Sequence, residues 1–392
     1  MHARTVLQRL LGPALSGVDA RNARNLLTAV CACISGRRLV MMELARHWPG
    51  ATQVSAPLKR LDRLLGNPRM HAARGAFYHT AAHWLIRHPK PVILVDWSEL
   101  GDHGRWQLLR ASIAGRGRSL TLYEEIHPQA KLGAPDVHAA FLRRLRGLLP
   151  KHVRPIVVTD AGFKVPWFRA VEALGWHWLG RVRGRIGVKP IAVNRPFAPW
   201  QPVRKLYARA NRQARDLGPH HMTTSNPVEC RLVSIAKPPK GRHQYRRRDG
   251  GVARGGKARK LARAQSEPWV LACSSSLAST SAKELTRLYG LRMQIEASFR
   301  DLKSHRYGCG FEDTQTRRAK RLEMLLLIHL LATLVAWARA VSSRVNHEYR
   351  FRISLLRRGW EQLRRFDHTI HGPPERAMRL LRQLVDSPAI PG

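Results

Sequence analysis

The chain has 392 residues, which is enough for two or three domains with sizeable buried cores. Its 69 Lys and Arg residues outnumber its 26 Asp and Glu residues, so the formal net charge at pH 7 is +43. A field of this sign and strength attracts polyanions. Nucleic acid is therefore the first candidate partner and an anionic membrane surface a weaker second, whereas an ordinary small-molecule enzyme is disfavoured.

The spacing of the cysteines and the apolar segments indicate the cellular compartment in which the protein works. The five cysteines are scattered and form no Cys-x-x-Cys pair, which favours a reducing cytosol over a disulfide scaffold or a zinc site. The longest apolar run, Leu322–Trp337, is short for a membrane span and contains Glu323 and His329, so it predicts a buried helix. The run Leu26–Ile34 begins too late for an export signal. We therefore expect a cytoplasmic protein that does not use a membrane.

The first 88 residues are predicted to be helical. Asp19 can cap one helix, Leu39–Trp48 gives a second, and Ser55 starts a third on which leucines form one stripe. The basic side chains that face away from this stripe are Lys59, Arg60 and Arg63. Such a helix suits a DNA-contacting module, and a plain helical bundle with a solvated basic face is about equally well supported.

From residue 91 the pattern changes to alternating strands and helices. Two short apolar runs, 91–96 and 155–160, predict strands that are buried on both faces. The other predicted strands are 106–114, 119–126, 176–182 and 269–273, and the predicted helices are 136–149, 166–174 and 281–304. This order predicts a mixed α/β sheet rather than a doubly wound nucleotide-binding fold.

Residues 184–265 interrupt this alternation. The segment is rich in Pro, Gly and Arg, and Cys230–Ala236 is its one convincing strand. Between Lys237 and Arg263 there are eleven Lys or Arg residues and a single acid. We interpret 237–263 as a basic arm that lies along phosphates, the alternative being a flexible basic loop.

Carboxylates are scarce in this sequence, so their positions are informative. Asp96 and Asp160 each follow an apolar run, at the predicted strand end where a sheet presents residues to a cleft. A single Asp at a strand end is usually a turn residue, but two in matched contexts favour a shared site for Mg²⁺, which prefers oxygen ligands. In the predicted helix 281–304, Glu284 belongs to a capping box and Asp301 points away. Glu296 is therefore the candidate for a third carboxylate.

One face of that helix carries residues suited to DNA chemistry. At about 100° per residue, Tyr289, Arg292, Glu296 and Lys303 fall within an arc of roughly 60°. An apolar stripe lies roughly 90° away from this face. The face therefore borders the buried side of the helix, where Arg and Lys can hold phosphates beside a carboxylate.

These residues carry a resemblance to a known family. The spacing Tyr289-x2-Arg292-x3-Glu296-x6-Lys303 matches the Tyr-Arg-Glu-Lys signature of one branch of bacterial insertion-sequence transposases, insertion-sequence family four. The blocks VDWSEL and VTDAGFKVPWF, which contain the two aspartates, resemble the other two blocks of that branch. The similarity covers residues 20 to about 340 and is close to the cut-and-paste enzymes of composite antibiotic-resistance transposons, whereas the last 50 or so residues match less well.

The resemblance implies an architecture. The fold would be ribonuclease-H-like, a mixed α/β sheet with a strand-rich insertion at about 184–265. Residues 1–88 would form a helical DNA-binding domain, 89–310 the catalytic domain and 311–392 a C-terminal helical region.

It also implies a function. The protein would be a DNA transposase that binds the terminal inverted repeats of its element, excises it by metal-dependent strand cleavage through a hairpin, and joins its 3′ ends to target DNA. Asp96, Asp160 and Glu296 would be catalytic and would hold two Mg²⁺ ions about 4 Å apart, with Mn²⁺ as a substitute. The residues that would contact DNA are Tyr289, Arg292, Lys303 and Trp269.

Trp269 has a second interpretation, because a Trp in a strand is more often part of the core. Its position between the basic insertion and the predicted catalytic helix is the place where the resembling enzymes have a Trp that stacks an extruded base. Stacking of a base on an aromatic ring contributes roughly 1–3 kcal/mol, which offsets much of the cost of unstacking it.

The expected partner is double-stranded DNA, both as element ends and as target. Because chains of this charge repel one another, we expect a free monomer that pairs on DNA, in the bacterial cytoplasm near the nucleoid. Two alternatives remain open: a catalytically silent or repurposed DNA-binding protein, and a ribonuclease-H-like nuclease without strand transfer.

Overall fold

The structure is a computed structural model that describes residues 2–101, 105–191, 198–237, 252, 255–256, 267–343, 353–370 and 372–386. The chain divides into two compact units, one made of Met1–Pro155 and Leu291–Gly392, the other of Ile156–Gly290. Strands and helices alternate through its middle, so the predicted mixed α/β architecture is confirmed. The two boundaries between the three domains that the resemblance implies stay a prediction.

The first unit begins with helices, as predicted. Their bounds are α1 Ala3–Leu10, α2 Gly12–Ser16, α3 Ala20–Gly36, α4 Met41–Arg46, α5 Ser55–Gly66 and α6 Pro68–Leu85. Asp19 caps α3 as expected, because its side chain accepts hydrogen bonds from the backbone N–H groups of Arg21 (3.0 Å) and Asn22 (3.1 Å). The buried leucines of α5 lie on one side, and its basic residues are exposed. A DNA-binding role for these helices stays a prediction.

Three antiparallel strands and a helix follow: β1 Val92–Leu100, β2 Trp106–Ile113, β3 Leu120–Pro128 and α7 Pro135–Leu148. The predicted first strand ended at residue 96, but β1 continues because its ladder with β2 extends to the pair Leu100–Trp106. Asp96 therefore lies in the middle of a strand. The strand-end argument is wrong for this residue.

The register of these strands aligns three charged residues. Asp96 lies opposite Arg110, and Arg110 lies opposite Glu124, so all three side chains share one face of the sheet. Arg110 and Glu124 are fully buried, and Arg110 Nε donates to Glu124 Oε2 at 2.7 Å. The Tyr78 hydroxyl of α6 donates to the other oxygen at 3.2 Å. Burial, followed by the Glu124 carboxylate, raises the pKa of Tyr78 well above its usual value, so the phenol keeps the proton it donates.

The second unit is rich in strands. Its elements are β4 Ile156–Thr159, α8 Val165–Glu172, β5 His177–Val182, β6 Gly187–Pro190, β7 Gln201–Pro202, β8 Arg215–Met222, β9 Val228–Ile235, β10 Trp269–Cys273 and α9 Ala282–Gly290. The strands run in the order β4-β5-β10-β9-β8-β6-β7, with β4 and β5 parallel and the other neighbours antiparallel.

The structure of residues 184–265 differs from what the amino-acid composition of this segment predicts. One strand is expected from the residues of 184–265, yet the described part of that segment contains four, so the single-strand expectation is wrong. The segment is rich in strands, as the resemblance implies, and its status as an insertion in a ribonuclease-H-like domain stays a prediction. The strand β8 contains Gly218 and Pro219, which are poor strand formers, but it lies between β6 and β9 and pairs with both. Most of the predicted basic arm, 237–263, lies outside the described residues.

The single helix predicted over 281–304 is broken. The helix α9 ends at Gly290, residues 291–292 form a turn, and α10 spans Met293–Lys303. Gly290 lowers local helix stability, which favours a break at this point. The projection that placed Tyr289 on one face with Glu296 therefore does not apply, because it assumed a continuous helix.

The first unit is completed by α10, α11 Ala319–Ser342, α12 Leu355–Arg365 and α13 Pro374–Asp386. The helix α11 packs against α3, α12, α13 and β3. Among the described helices it is the one long and apolar enough to cross a membrane, but 89% of its most apolar stretch is buried inside the protein. Glu323 within it is also buried, forms an ion pair with Arg74, and accepts a hydrogen bond from the backbone of Ile126 (3.3 Å). The predicted buried helix is confirmed.

We expect the Arg110–Glu124 pair to be the most sensitive point of the first unit. Glu124→Leu should destabilise it by about 3–5 kcal/mol, because the buried Arg110 charge loses its counter-ion. The double variant Arg110→Met/Glu124→Leu should recover most of that loss. Chemical unfolding followed by circular dichroism measures both effects.

The matched control is an exposed ion pair in the same unit. Arg9 and Glu375 lie 3.5 Å apart with side chains 56% and 61% exposed, so Glu375→Ala should leave the unfolding midpoint nearly unchanged. Equal effects of Glu124→Leu and Glu375→Ala would show that burial does not decide the contribution of these pairs.

Candidate active site

Two of the three candidate carboxylates meet on one arginine. Asp96 Oδ2 in β1 accepts a hydrogen bond from Arg292 Nη1 at 3.1 Å, and Glu296 Oε1 in α10 accepts one from Nη2 of the same guanidinium. The backbone N–H of Trp97 donates to Asp96 Oδ1 at 2.9 Å. The Asp96 side chain is 13% exposed and that of Glu296 is 42% exposed. One cation therefore reduces the repulsion between two neighbouring carboxylates.

Lys303 lies on the same side of α10 and also reaches β1. Its Nζ donates to Ser98 Oγ (3.2 Å) and to the carbonyl oxygen of Glu99 (2.5 Å), and it pairs with Glu312 (3.3 Å). The structure thus brings Arg292, Glu296 and Lys303 of the signature to the strand that carries Asp96.

The opposite side of α10 is held by polar contacts that the sequence analysis missed. Gln294 is 3% exposed, and its amide makes two hydrogen bonds with the backbone of Gly115: Oε1 accepts from N–H at 3.0 Å, and Nε2 donates to the carbonyl oxygen at 2.7 Å. Ser298 Oγ accepts from Arg110 Nη1 at 3.2 Å. These bonds fix the rotation of α10, and with it the position of Glu296.

Asp301 continues this polar side of the helix. It was set aside in the sequence analysis because it points away from Glu296, and it pairs with Arg118 at 2.8 Å. Gln294, Ser298 and Asp301 recur at the spacing i, i+4, i+7, which places them on one side of a helix. This spacing is visible in the sequence and indicates a polar side of the helix. The partners of these residues, on β2 and in the loop after it, are distant in sequence, so the spacing does not predict them.

His138 of α7 supports β1 next to Asp96. Trp97 Nε1 donates to His138 Nε2 at 2.9 Å. Burial, followed by the nearby His127, lowers the pKa of His138 to about 4, so its imidazole is neutral at pH 7 and can accept the indole proton. This bond orients the residue directly after Asp96.

Asp160 belongs to the second unit and directly follows β4, as predicted. Its Oδ1 accepts a hydrogen bond from the backbone N–H of Gly162 at 2.8 Å. A Cβ at position 162 would lie 2.9 Å from that oxygen, so glycine permits the close approach. The half-buried carboxylate is therefore held by its own turn, which is also what a purely structural aspartate does.

Trp269 and Tyr289 contact each other within the second unit. Their rings meet edge to face with centroids 4.8 Å apart, and Tyr289 is 4% exposed. Trp269 is half-buried at the start of β10, whereas the residues after it are fully buried. The Lys237 ammonium lies 4.1 Å from the centroid of the Trp269 ring, a cation–π contact. Trp269 is therefore packed on one side against Tyr289 and contacted by a cation, and the choice between a core role and a DNA-contacting role stays open.

The basic residues of α5 lie elsewhere in the first unit. Lys59, Arg60 and Arg63 are exposed. Lys59 and Arg63 line a cavity of about 610 Å³ whose walls include Met42 and Leu58. Their contact with DNA stays a prediction.

The carboxylates of the site can be compared with the ligands that a metal ion requires. Within the described ranges, no group of three or more His, Cys, Asp or Glu side chains is arranged to hold a metal. Asp96 and Glu296 nevertheless direct oxygen atoms at a single cation, and carboxylate oxygens are the ligands that Mg²⁺ prefers. These residues therefore fit a divalent ion of this kind.

Comparison with known families identifies the family of the chain. The family described as "Transposase DDE domain" matches residues 87–335, a range that includes all three candidate carboxylates and the whole signature. The chain therefore belongs to the DDE transposases, enzymes of DNA recombination that cleave nucleic acid and generally use divalent metals such as Mg²⁺. A search of curated proteins gave no match.

We expect Gln294 to act as a positioning residue for Glu296. Gln294→Met keeps most of the side-chain volume but removes both bonds to Gly115. Two buried backbone groups then lose their partners, so the unit should lose stability by about 2–4 kcal/mol and DNA cleavage should slow by about tenfold or more. Thermal unfolding and single-turnover cleavage measure these effects.

The control is the exposed Gln315, where the same change to Met should affect neither quantity. If Gln294→Met cleaves DNA at the normal rate while its melting temperature falls, Gln294 contributes to stability alone.

Proposed function

We propose that this protein is the transposase of a bacterial insertion sequence, from the Tyr-Arg-Glu-Lys branch known as insertion-sequence family four. It binds the terminal inverted repeats of the element, excises it by strand cleavage through a hairpin, and joins its 3′ ends to target DNA. The observation that carries this proposal is the bridge from Arg292 to Asp96 and Glu296, inside a chain that belongs to the DDE transposases.

We assign the metal-ligand role to Asp96, Asp160 and Glu296. The support is that two of them converge on one cation and that the third follows a buried strand in the second sequence block. Two bound Mg²⁺ ions, or Mn²⁺ in their place, would supply charge neutralisation at the scissile phosphate and lower the pKa of the attacking water or 3′-hydroxyl. Scarcity of acids elsewhere in this basic chain favours a specific role for these three.

Arg292 would release its carboxylate partners and bind a DNA phosphate in their place. Its guanidinium is bound to two carboxylates through separate nitrogens. When those carboxylates take metal ions, the same planar guanidinium can bind a DNA phosphate close to the cleaved bond. Lys303, held by Ser98 and Glu99 on the same strand as Asp96, would hold a neighbouring phosphate as a point charge. Tyr289 would assist from its position beside Trp269.

Assembly would depend on DNA. Each free chain carries a formal charge of +43 and repels its copy, whereas element ends and target DNA offset that repulsion. The protein would be a monomer in solution and a dimer on DNA, and would act in the bacterial cytoplasm at the nucleoid.

Replacing any one of the three carboxylates should abolish most cleavage. We expect Asp96→Asn, Asp160→Asn and Glu296→Gln each to slow cleavage of DNA that carries the element's own ends by about three decades, which corresponds to about 4 kcal/mol of lost transition-state stabilisation. The measurement is a gel assay in Mg²⁺ with flanking inverted repeats.

Asp136→Asn is the control, since Asp136 is a carboxylate of the same unit whose side chain is 65% exposed and whose ion-pair partner within the described residues is Lys131. It should cleave at nearly the normal rate. A carboxylate whose replacement leaves cleavage intact is not a metal ligand.

The reaction products of the unmodified protein distinguish the three candidate functions. Joined target DNA supports transposition, nicks alone indicate a nuclease, and binding without nicks indicates a silent DNA-binding protein.

Trp269 should act after the first nick. Hairpin formation requires a terminal base to leave the stack, and an indole can receive it. Trp269→Ala should therefore keep the first nick but slow hairpin formation by about one to two decades. The measurement is the ratio of nicked to hairpinned ends in one reaction.

Trp200→Ala is the control, because Trp200 is a solvent-exposed indole of the same unit. An unchanged ratio in a folded Trp269→Ala variant would return Trp269 to a packing role against Tyr289.

A further inference from the structure

Four arginines line one open cleft in the first unit, far along the chain from the signature residues. The cleft has a volume of about 690 Å³ and lies between the end of α3 and the helix α12. The arginines that define this arginine cleft are Arg37, Arg357, Arg364 and Arg365.

The cleft carries an excess of positive charge. Among the described residues, Glu361 and Asp367 are the carboxylates that line it, so within that part of the chain two of the four arginine charges are not compensated. His368 is buried in its wall, and burial, followed by the nearby His2, lowers the pKa of His368, so it adds no charge at pH 7. An anion is therefore the expected ligand.

The uncompensated charge is on the last turn of α12. Glu361 Oε1 accepts a hydrogen bond from Arg357 Nε at 3.1 Å and lies 3.9 Å from Arg37 Nη1, so it serves two arginines. Arg364 and Arg365 are exposed, and within the described residues neither has a carboxylate at ion-pair distance. These two guanidinium groups are available to a ligand.

The helix that presents them is held rigidly. Its other side is buried through Leu356, Trp360 and Leu363. At Gly359 the backbone lies so close to α11 that a Cβ would fall 1.8 Å from the carbonyl oxygen of Ala336. The arginine-bearing side therefore keeps its orientation without a ligand, which lowers the entropic cost of binding.

Backbone strain is concentrated in the same place. In the described chain, four residues other than glycine have positive φ, and three of them line this cleft: Arg37 (50°), Asp367 (42°) and His368 (56°). Left-handed backbone is unfavourable for such residues and clusters at functional sites. Arg37 takes this conformation as the C-cap of α3, and Asp367 and His368 directly follow the C-cap of α12, so two helix ends meet at the cleft.

We propose that the arginine cleft binds the sugar–phosphate backbone of duplex DNA without reading its sequence, as a DNA-contacting surface formed by residues other than the carboxylate site. This proposal rests on the proposed function. From Arg357 to Arg365 the helix rises about 12 Å, which corresponds to about three and a half phosphate spacings on one strand, or roughly four phosphates, and exceeds a single phosphate ion. Arginine binds phosphate oxygens in pairs, and such contacts position a protein on DNA without specifying sequence.

The test uses the full chain and a duplex of unrelated sequence without element ends. Each phosphate contact contributes about 0.9 to the slope of log affinity against log salt concentration. Arg364→Ala/Arg365→Ala should therefore bind more weakly and reduce that slope by about 1.8, measured by fluorescence anisotropy over a series of NaCl concentrations. Glu361→Gln removes a negative charge from the cleft and should therefore increase the affinity for DNA. Partial unfolding of a variant would lower the affinity, so it cannot explain such an increase.

Arg143→Ala/Arg146→Ala on α7 is the matched control, because it removes the same charge elsewhere in the same unit. If both double variants change the slope equally, the effect is due to net charge and the proposal is overturned.

A second experiment measures the binding of inorganic pyrophosphate to the same variants. If the cleft variant loses pyrophosphate binding while its DNA slope is normal, the site takes small anions and not DNA. Since these readouts involve no cleavage, they are independent of whether the carboxylate variants abolish activity.

Discussion

The buried Arg110–Glu124 ion pair is the constraint on which the first unit depends. Two full charges with no solvent exposure are tolerated only when paired and hydrogen-bonded, and these two have Tyr78 and Ser298 as further partners. The pair thereby connects β2 and β3 to α6 on one side and to α10 on the other. Because α10 carries Glu296 and β1 lies beside β2, the approach of Glu296 to Asp96 follows from a contact that involves neither residue.

Charge distribution explains the other main features. In a chain with 69 basic and 26 acidic residues, a carboxylate readily finds a basic neighbour, and Asp301, Glu312 and Glu323 all have one. Asp96 and Glu296 differ because they share a single guanidinium.

The arginine cleft and the carboxylate site illustrate two uses of arginine. Arg110 and Arg292 are enclosed and paired, so their charges organise the protein itself. Arg364 and Arg365 project from a helix whose opposite side is buried, so their charges face outward. The difference lies in the surroundings and not in the residue type, which is why net charge alone indicates a polyanionic partner but not where it binds.

The sequence by itself determined what depends on near neighbours. Asp19 as a helix cap, the strand that ends before Asp160 and the buried helix around Glu323 follow from local patterns, and the spaced signature was sufficient to indicate the family. Only the tertiary structure decided that β1 continues beyond Asp96, that the helix breaks after Gly290 and that the insertion holds four strands. It also decided that Gln294 holds α10 in place. Each of these depends on hydrogen bonds or packing between segments remote in sequence, and a local pattern carries no information about which remote group will be the partner.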